Sequence, residues 1–173
     1  MQTISRPSEN EYAPYFGLYI GQVPGDDVLS VLRRQLEETP AFIRNFPPDR
    51  QSYRYAEGKW TPKEVFIHIL DAERVFAYRA LRIGRGDKTP LPGFDQDIFV
   101  PESNAEDRSL ESIAAEYENL RKCTLHLFEN MQPHQVAYLG TASEKPVSPR
   151  ALAYMTAGHE LHHFRILHER YLV

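Results

Sequence analysis

The sequence has few of the features that mark several large classes of protein. It contains one cysteine, Cys123, among 173 residues, so it forms no internal disulfide, and this usage is typical of a reducing cytoplasm. No apolar run approaches the roughly 20 residues that a membrane-spanning helix needs. The N-terminus also lacks the charged and apolar regions of a secretory signal. We therefore expect a cytoplasmic protein without a membrane partner.

Basic charge is also scarce. The net charge is −4, and the chain has no long basic run. This balance argues against nucleic acid or anionic lipid as the main partner. The composition, with 42% hydrophobic and 25% charged residues, is normal for a globular protein, and the length suits one domain over residues 1–173.

Apolar residues recur with a helical period in four segments. Two of these segments have clear starts. Thr61, Pro62 and Glu64 form a capping box with proline in the first turn, and Ser148 followed by Pro149 repeats the Ser/Thr-Pro start. Four helices of this length predict an all-α, four-helix bundle. The predicted helices span residues 26–46, 61–83, 109–131 and 149–171.

Two segments lie outside this helical pattern. Residues 1–25 are rich in proline, tyrosine and glycine, which predicts an extended strap against the bundle. Residues 84–108 form a long connection, and loops of this length are often functional. We expect this connection to cross the bundle and border the site, with Asp95 as the candidate catalytic residue and Asp97 behind it. The alternative is a plain crossover that its aromatic residues pin to the core.

Histidines are concentrated in the last predicted helix. His159 and His163 are four residues apart, so their side chains lie on one face of a helix, and that face is the apolar one. Two imidazoles in this arrangement can bind one divalent metal ion. The alternative is a pair of core histidines, each hydrogen-bonded to a neighbour. His68 lies on the apolar face of the second predicted helix and offers a third ligand, with Asp71 one turn on as a possible partner for its ring.

Three protein ligands with one open position are the pattern of a catalytic metal site rather than a structural one. No other nucleophile is evident. Cys123 lies beside the apolar stripe of the third predicted helix and is expected to pack there, since nothing around it lowers its pKa. Neutral imidazoles suit zinc, nickel or iron, so the sequence leaves the metal open.

Two segments resemble the signature helices of the DinB/YfiT-like superfamily. They are GKWTPKEVFIHILDAERVFAYR and VSPRALAYMTAGHELHHFRILHERY, and the intervening LPGFDQDIF is similar to one subgroup. The resemblance implies a four-helix bundle with a long crossover between the second and third helices. It also implies a divalent metal on His68, His159 and His163, and a homodimer.

The function implied by the resemblance is enzymatic. Characterised relatives act with low-molecular-weight thiols, and others are described as metal-dependent hydrolases. We therefore expect a metal-dependent transferase that uses such a thiol as cofactor and takes a small-molecule substrate. A metal-dependent hydrolase is the alternative among enzymes, and a non-catalytic metal-binding bundle is the alternative outside them.

Overall fold

The computed structural model describes residues 3–173 and is mostly helical. Each long helix begins and ends within a few residues of its predicted bounds. Within the described residues, no helix is both long and apolar enough to cross a membrane. The four long helices are α2 (Val28–Arg44), α3 (Pro62–Gly84), α5 (Leu110–Glu129) and α7 (Pro149–Ile166), and α7 continues as a π-helical segment over Leu167–Tyr171.

The predicted helix starts are confirmed by their capping hydrogen bonds. The Thr61 hydroxyl accepts from the Glu64 backbone N–H, and the Glu64 carboxylate accepts from the Thr61 N–H at 2.7 Å. The Ser148 hydroxyl accepts from the Ala151 N–H at 3.1 Å. These side chains satisfy amide groups that the first turn of a helix leaves unpaired, and they fix where α3 and α7 begin.

The segments between the long helices contain short elements. They are α1 (Gly17–Ile20), α4 (Gln96–Phe99), α6 (Pro133–Val136) and an antiparallel hairpin of β1 (Gly140–Ala142) and β2 (Lys145–Val147). The prediction of an extended strap over residues 1–25 was wrong in one respect. The strap forms 3-10 turns at Glu9–Glu11 and Pro14–Phe16 before α1, because the N–H groups bond to carbonyls three residues back; its first two residues lie outside the described part of the chain.

The principal helix contacts do not follow the order of the chain. The helix α2 packs mainly on α5, and α3 packs mainly on α7, while smaller contacts between α3 and α5 and between α2 and α7 complete the bundle. The segment between α3 and α5 is the predicted long crossover. It is fastened to the hairpin by backbone bonds between Leu91 and Thr141 and between Ser143 and Leu91, at 2.9 and 3.0 Å.

The core consists of two apolar clusters with polar side chains between them. One cluster is built on the N-terminal half of α2 and of α7, and the other on the C-terminal half of α2 and the π-helical segment. On α7 the boundary lies between Ala157 and Leu167, where the histidines and Glu160 are found. We call the buried polar side chains at this boundary the polar layer; they are Gln35, Thr39, His68, Glu73, Tyr117, Arg121, His159 and Glu160.

Arg121 is at the centre of the polar layer. Its side chain is fully buried, and it donates two hydrogen bonds to Glu73 of α3, from Nε at 3.0 Å and from Nη2 at 2.8 Å. Nη2 also donates to Glu160 of α7 at 2.6 Å, and Nη1 donates to Gln35 of α2 at 3.0 Å. The arginine of α5 is therefore bonded to each of the other three long helices.

Glu160 receives two further hydrogen bonds. The hydroxyl of Tyr117 donates to it at 2.9 Å, and the hydroxyl of Thr39 donates at 2.6 Å. Buried carboxylates are tolerated when their lone pairs are satisfied in this way. The sequence analysis did not identify this network. The network fixes the position of Glu160, which is next to His159 in the chain.

The strap contacts α7 at a glycine. A Cβ atom added to Gly158 would lie 2.0 Å from the carbonyl oxygen of Tyr19, so only glycine permits this approach. Tyr19 is buried as a result, and its ring lies 5.4 Å from the ring of His159. The glycine beside the histidine thus lets the strap cover the site.

A Gly158→Ala substitution should destabilise the protein. The added methyl group forces the strap away from α7, and such overpacking costs about 1–3 kcal/mol. The measurement is the free energy of unfolding in denaturant. Gly17→Ala is the matched control, because a Cβ there meets nothing closer than a Tyr12 ring carbon at 3.9 Å. Equal stability of the two variants would contradict this account of the strap.

Candidate metal centre

The three predicted histidines meet between two of the packed helices. His68 comes from α3, and His159 and His163 come from successive turns of α7. Nε2 of His159 lies 3.0 Å from Nε2 of His68 and 3.0 Å from Nε2 of His163. His68 and His159 are buried, and His163 is partly exposed. Among the described residues, these three histidines form a group that could hold a metal ion. Their ligand atoms all lie within 4.8 Å of one another.

The chemistry of these donors fits a divalent metal. Three imidazole nitrogens that bind one zinc ion tetrahedrally at about 2.0–2.1 Å lie about 3.3 Å apart, close to the observed separations. Burial lowers the pKa of His68 to about 4. Burial, followed by the neighbouring histidines, also lowers the pKa of His159 and His163 well below the usual value. All three rings are therefore neutral at pH 7, and neutral imidazole is the form that binds metal.

Aromatic side chains surround the three histidines. The ring of Trp60 lies 4.7 Å from that of His68, between centroids, and the ring of Phe76 lies 6.1 Å from that of His159. Tyr19 covers His159 from the strap. These contacts restrict the rotation of the imidazoles, which helps to hold a ligand set in place before an ion binds.

Two cavities adjoin the histidines. The larger has a volume of about 470 Å³ and is lined by His68, His159, residues of the strap and residues of the crossover. The smaller, of about 250 Å³, is lined by His163, Trp60 and the C-terminal Tyr171. Gln96 and Asp97 of α4 line both, so the crossover borders both sides of the histidine cluster.

Asp95 lines the larger cavity, as does Asp97. The carboxylate of Asp95 accepts a hydrogen bond from the Asp97 backbone N–H at 2.9 Å and caps α4. Both side chains are exposed, and neither joins the cluster of metal-ligating atoms. A catalytic role for Asp95 therefore stays a prediction.

Two expectations for nearby residues were wrong. Asp71 does not bind the ring of His68; its carboxylate instead pairs with Arg74, three residues further along α3, at 3.3 Å. Cys123 does not pack in the core but is exposed on α5. The remaining histidines lie outside the cluster: His162 is half-buried, and His126, His134 and His168 are exposed.

Arg79 was missed by the sequence analysis. It lines the larger cavity together with His68 and His159, and only 4% of the residue is exposed. A signal was present in the helical period, because His68, Ala72, Phe76 and Arg79 follow one face of α3. The sequence analysis used only the apolar residues and His68 of that face, so Arg79 was overlooked.

The sequence also matches a known family over most of its length. The model of the DinB superfamily matches residues 31–167, which include all three histidines. The chain belongs to the DinB superfamily. The resemblance inferred from the two helical segments is therefore confirmed.

Solved structures of similar fold support the architecture of this DinB-superfamily chain. YfiT from Bacillus subtilis superposes with a TM-score of 0.68 at 14% identity, covering 96% of this chain and 91% of its own. It is described as a probable metal-dependent hydrolase with an unusual four-helix bundle topology. A DinB-like protein from the same organism, YjoA, superposes with a TM-score of 0.56 at 21% identity, covering 82% and 87%. No curated protein matches the sequence. At these identities the likeness establishes the fold, and the predicted four-helix bundle is confirmed.

Proposed function

We propose that this DinB-superfamily protein is a metal-dependent enzyme that acts on a small molecule and uses a low-molecular-weight thiol. His68, His159 and His163 would hold the ion, and zinc, nickel and iron all suit these ligands. The observation that carries the proposal is the convergence of three neutral imidazoles at the wall of a 470 Å³ cavity. A bound divalent ion would supply positive charge that favours the ionised form of a thiol at neutral pH.

The composition of the cluster favours catalysis over a structural role. In the described part of the chain, no fourth histidine, cysteine or carboxylate joins the three histidines. Structural zinc sites use four protein ligands, whereas catalytic sites use three and leave room for a substrate. Because imidazole is neutral, these ligands also leave the charge of the ion uncompensated.

The residues that line the cavities support the proposal of a nucleophile from solution. Neither of the two cavities beside the histidines is lined by cysteine, and the hydroxyl of Ser143 accepts a hydrogen bond from Arg79 rather than contacting a histidine. An acyl or alkyl transfer here would therefore require a nucleophile from solution. A thiol fits that requirement, and water is the alternative. The description of YfiT as a probable metal-dependent hydrolase favours water, and thus hydrolysis, as the second candidate.

Asp95 is the residue that we propose for proton transfer at the edge of the larger cavity. An Asp95→Asn variant tests this role cleanly, because asparagine also caps a helix and should leave α4 intact. If Asp95 acts as a base, the variant should lose about 100-fold or more in turnover with an unchanged circular dichroism spectrum. Full activity would rule out the role.

The test of the function uses metal-loaded protein and two kinds of substrate. We would incubate it with an electrophilic aryl halide or epoxide and a panel of thiols that includes bacillithiol, and separately with ester substrates. Thiol conjugation that disappears in His163→Ala supports the transferase, and ester cleavage without thiol supports the hydrolase. Inactivity with every substrate, in protein that retains its metal, would favour a non-catalytic metal-binding bundle.

A further inference from the structure

The only charged group that lines the larger cavity and is itself nearly buried, within the described chain, is Arg79. It lies on α3 eleven positions after His68. At 1.5 Å per residue, the two Cα atoms are about 16 Å apart along the helix axis. Ala72 and Phe76 line the cavity between them. The cavity therefore runs along α3 from the histidines at one end to an arginine at the other.

Arg79 has no acidic partner. Nη2 donates to the Pro92 carbonyl oxygen at 2.7 Å and to the Ser143 hydroxyl at 3.1 Å, and the guanidinium lies 5.8 Å from the centroid of the Phe94 ring. Across residues 3–173, no carboxylate pairs with it, and its Nε and Nη1 groups make no hydrogen bond. Asp95 and Asp97 line the same cavity without pairing with it.

This arrangement is unusual for a buried arginine. Charged side chains are rarely buried unless they are paired, because removing the charge from water is costly. Arg121 of the same protein follows that rule, since two carboxylates bind it. Burial also lowers the pKa of Arg79, and no neighbouring carboxylate opposes that effect. A cation that keeps unused donors at the wall of a cavity is suited to bind an anion that enters it.

The rest of the cavity indicates what kind of anion. Its walls are aromatic. They are formed by Phe16 and Tyr19 of the strap, Phe76 of α3 and Phe94 of the crossover. Its volume is that of a small-molecule site. We propose that Arg79 binds the carboxylate of an elongated organic acid, whose apolar body lies along the aromatic walls and whose other end reaches the three histidines. This proposal rests on the proposed function for the reacting end, but not for the binding of the carboxylate.

The test compares an acid with its uncharged counterpart. The probes are 4-phenylbutyrate and 4-phenylbutan-1-ol, and their dissociation constants are measured by calorimetry on protein freed of metal with a chelator. Hydrogen bonds to charged groups are stronger than those between neutral groups, so the wild type should prefer the acid by about 10-fold or more. Arg79→Met should abolish that preference while it leaves the affinity for the alcohol unchanged.

Two further variants complete the test. Arg85→Met removes the same charge from the exposed end of α3 and should keep the preference for the acid. Arg79→Gln replaces Arg79→Met if the methionine variant fails to fold, and it should also show no preference. Thermal melting by circular dichroism separates binding from structure, because a residue that only supports the crossover would change the melting temperature and not the ratio of affinities.

The outcomes are distinct from those of the functional test. An acid preference that depends on Arg79 in metal-free protein supports this site even if no reaction is ever found. Equal affinities for acid and alcohol in the wild type, no binding of either, or an unchanged preference in Arg79→Met would overturn it.

Discussion

A His159→Ala variant should lose most of its bound metal. His159 is the central histidine of the three, because its Nε2 atom lies 3.0 Å from the Nε2 atoms of both His68 and His163. Removing a residue that merely supports a ligand weakens metal binding about 10–100-fold, so removal of the ligand itself should cost at least about 100-fold. Metal content is measured by mass spectrometry on protein purified without a nickel column, which also identifies the metal.

The matched control for this substitution is His162→Ala. His162 is on the same helix, one residue from His163, but it is half-buried and its ring packs against Tyr19 at 5.2 Å between centroids. It should retain metal as the wild type does. Equal metal content in His159→Ala and His162→Ala would refute the assignment of the ligands.

Metal binding can also be followed in solution without a label. Trp60 is the only tryptophan of the chain, and its ring lies 4.7 Å from that of His68. Adding nickel or cobalt to metal-free protein should therefore change the fluorescence of Trp60. The change should saturate at one ion per chain in the wild type and shift to much higher metal concentration in His159→Ala.

An Arg121→Met substitution should have the largest effect on stability. It removes the cation from two buried carboxylates, those of Glu73 and Glu160, which Arg121 contacts at 2.8 and 2.6 Å. Breaking a buried ion pair in this way costs about 3–5 kcal/mol, because the remaining charge is left uncompensated in the interior. Denaturant unfolding followed by circular dichroism measures the loss.

The control for Arg121 is another arginine that binds two glutamates. Arg44 contacts Glu111 and Glu118 at 2.7 and 2.8 Å, but on the surface. Arg44→Met should leave the stability almost unchanged, because water screens exposed ion pairs. Adding Glu73→Gln to Arg121→Met should recover part of the loss. An Arg121→Met protein as stable as the wild type would show that the buried ion pairs of Arg121 do not stabilise the bundle.

The sequence predicted what depends on local chemistry and helical period. Thr61, Pro62 and Glu64 determine the start of α3 by themselves, and the spacing of His159 and His163 places both rings on one face whatever surrounds them. His68 was expected to face these two histidines because it also lies on the apolar side of its helix, and the apolar sides of both helices turn inward. The bundle and the three-histidine cluster were therefore accessible without a structure.

Other features depend on contacts between distant segments. The bonds of Arg121 to three other helices require the register of all four, which no single segment encodes. The burial of Tyr19 depends on a glycine 139 residues further along the chain. Asp71 was misassigned because His68 and Arg74 are both three residues away from it, and this spacing does not determine which of the two its carboxylate binds. Arg79 was overlooked because the size of the cavity depends on where the crossover docks.

The polar layer also limits how the helices can be arranged. Sliding any one helix by a turn would move its polar residue into an apolar cluster and leave the polar residues of the other helices without their hydrogen bonds. The layer therefore fixes the register of the four helices relative to one another. It should act in folding as well. Because Arg121 is satisfied only when α2, α3 and α7 are all in place, the four helices should become protected from amide hydrogen exchange together, rather than as pairs of helices that form one after the other.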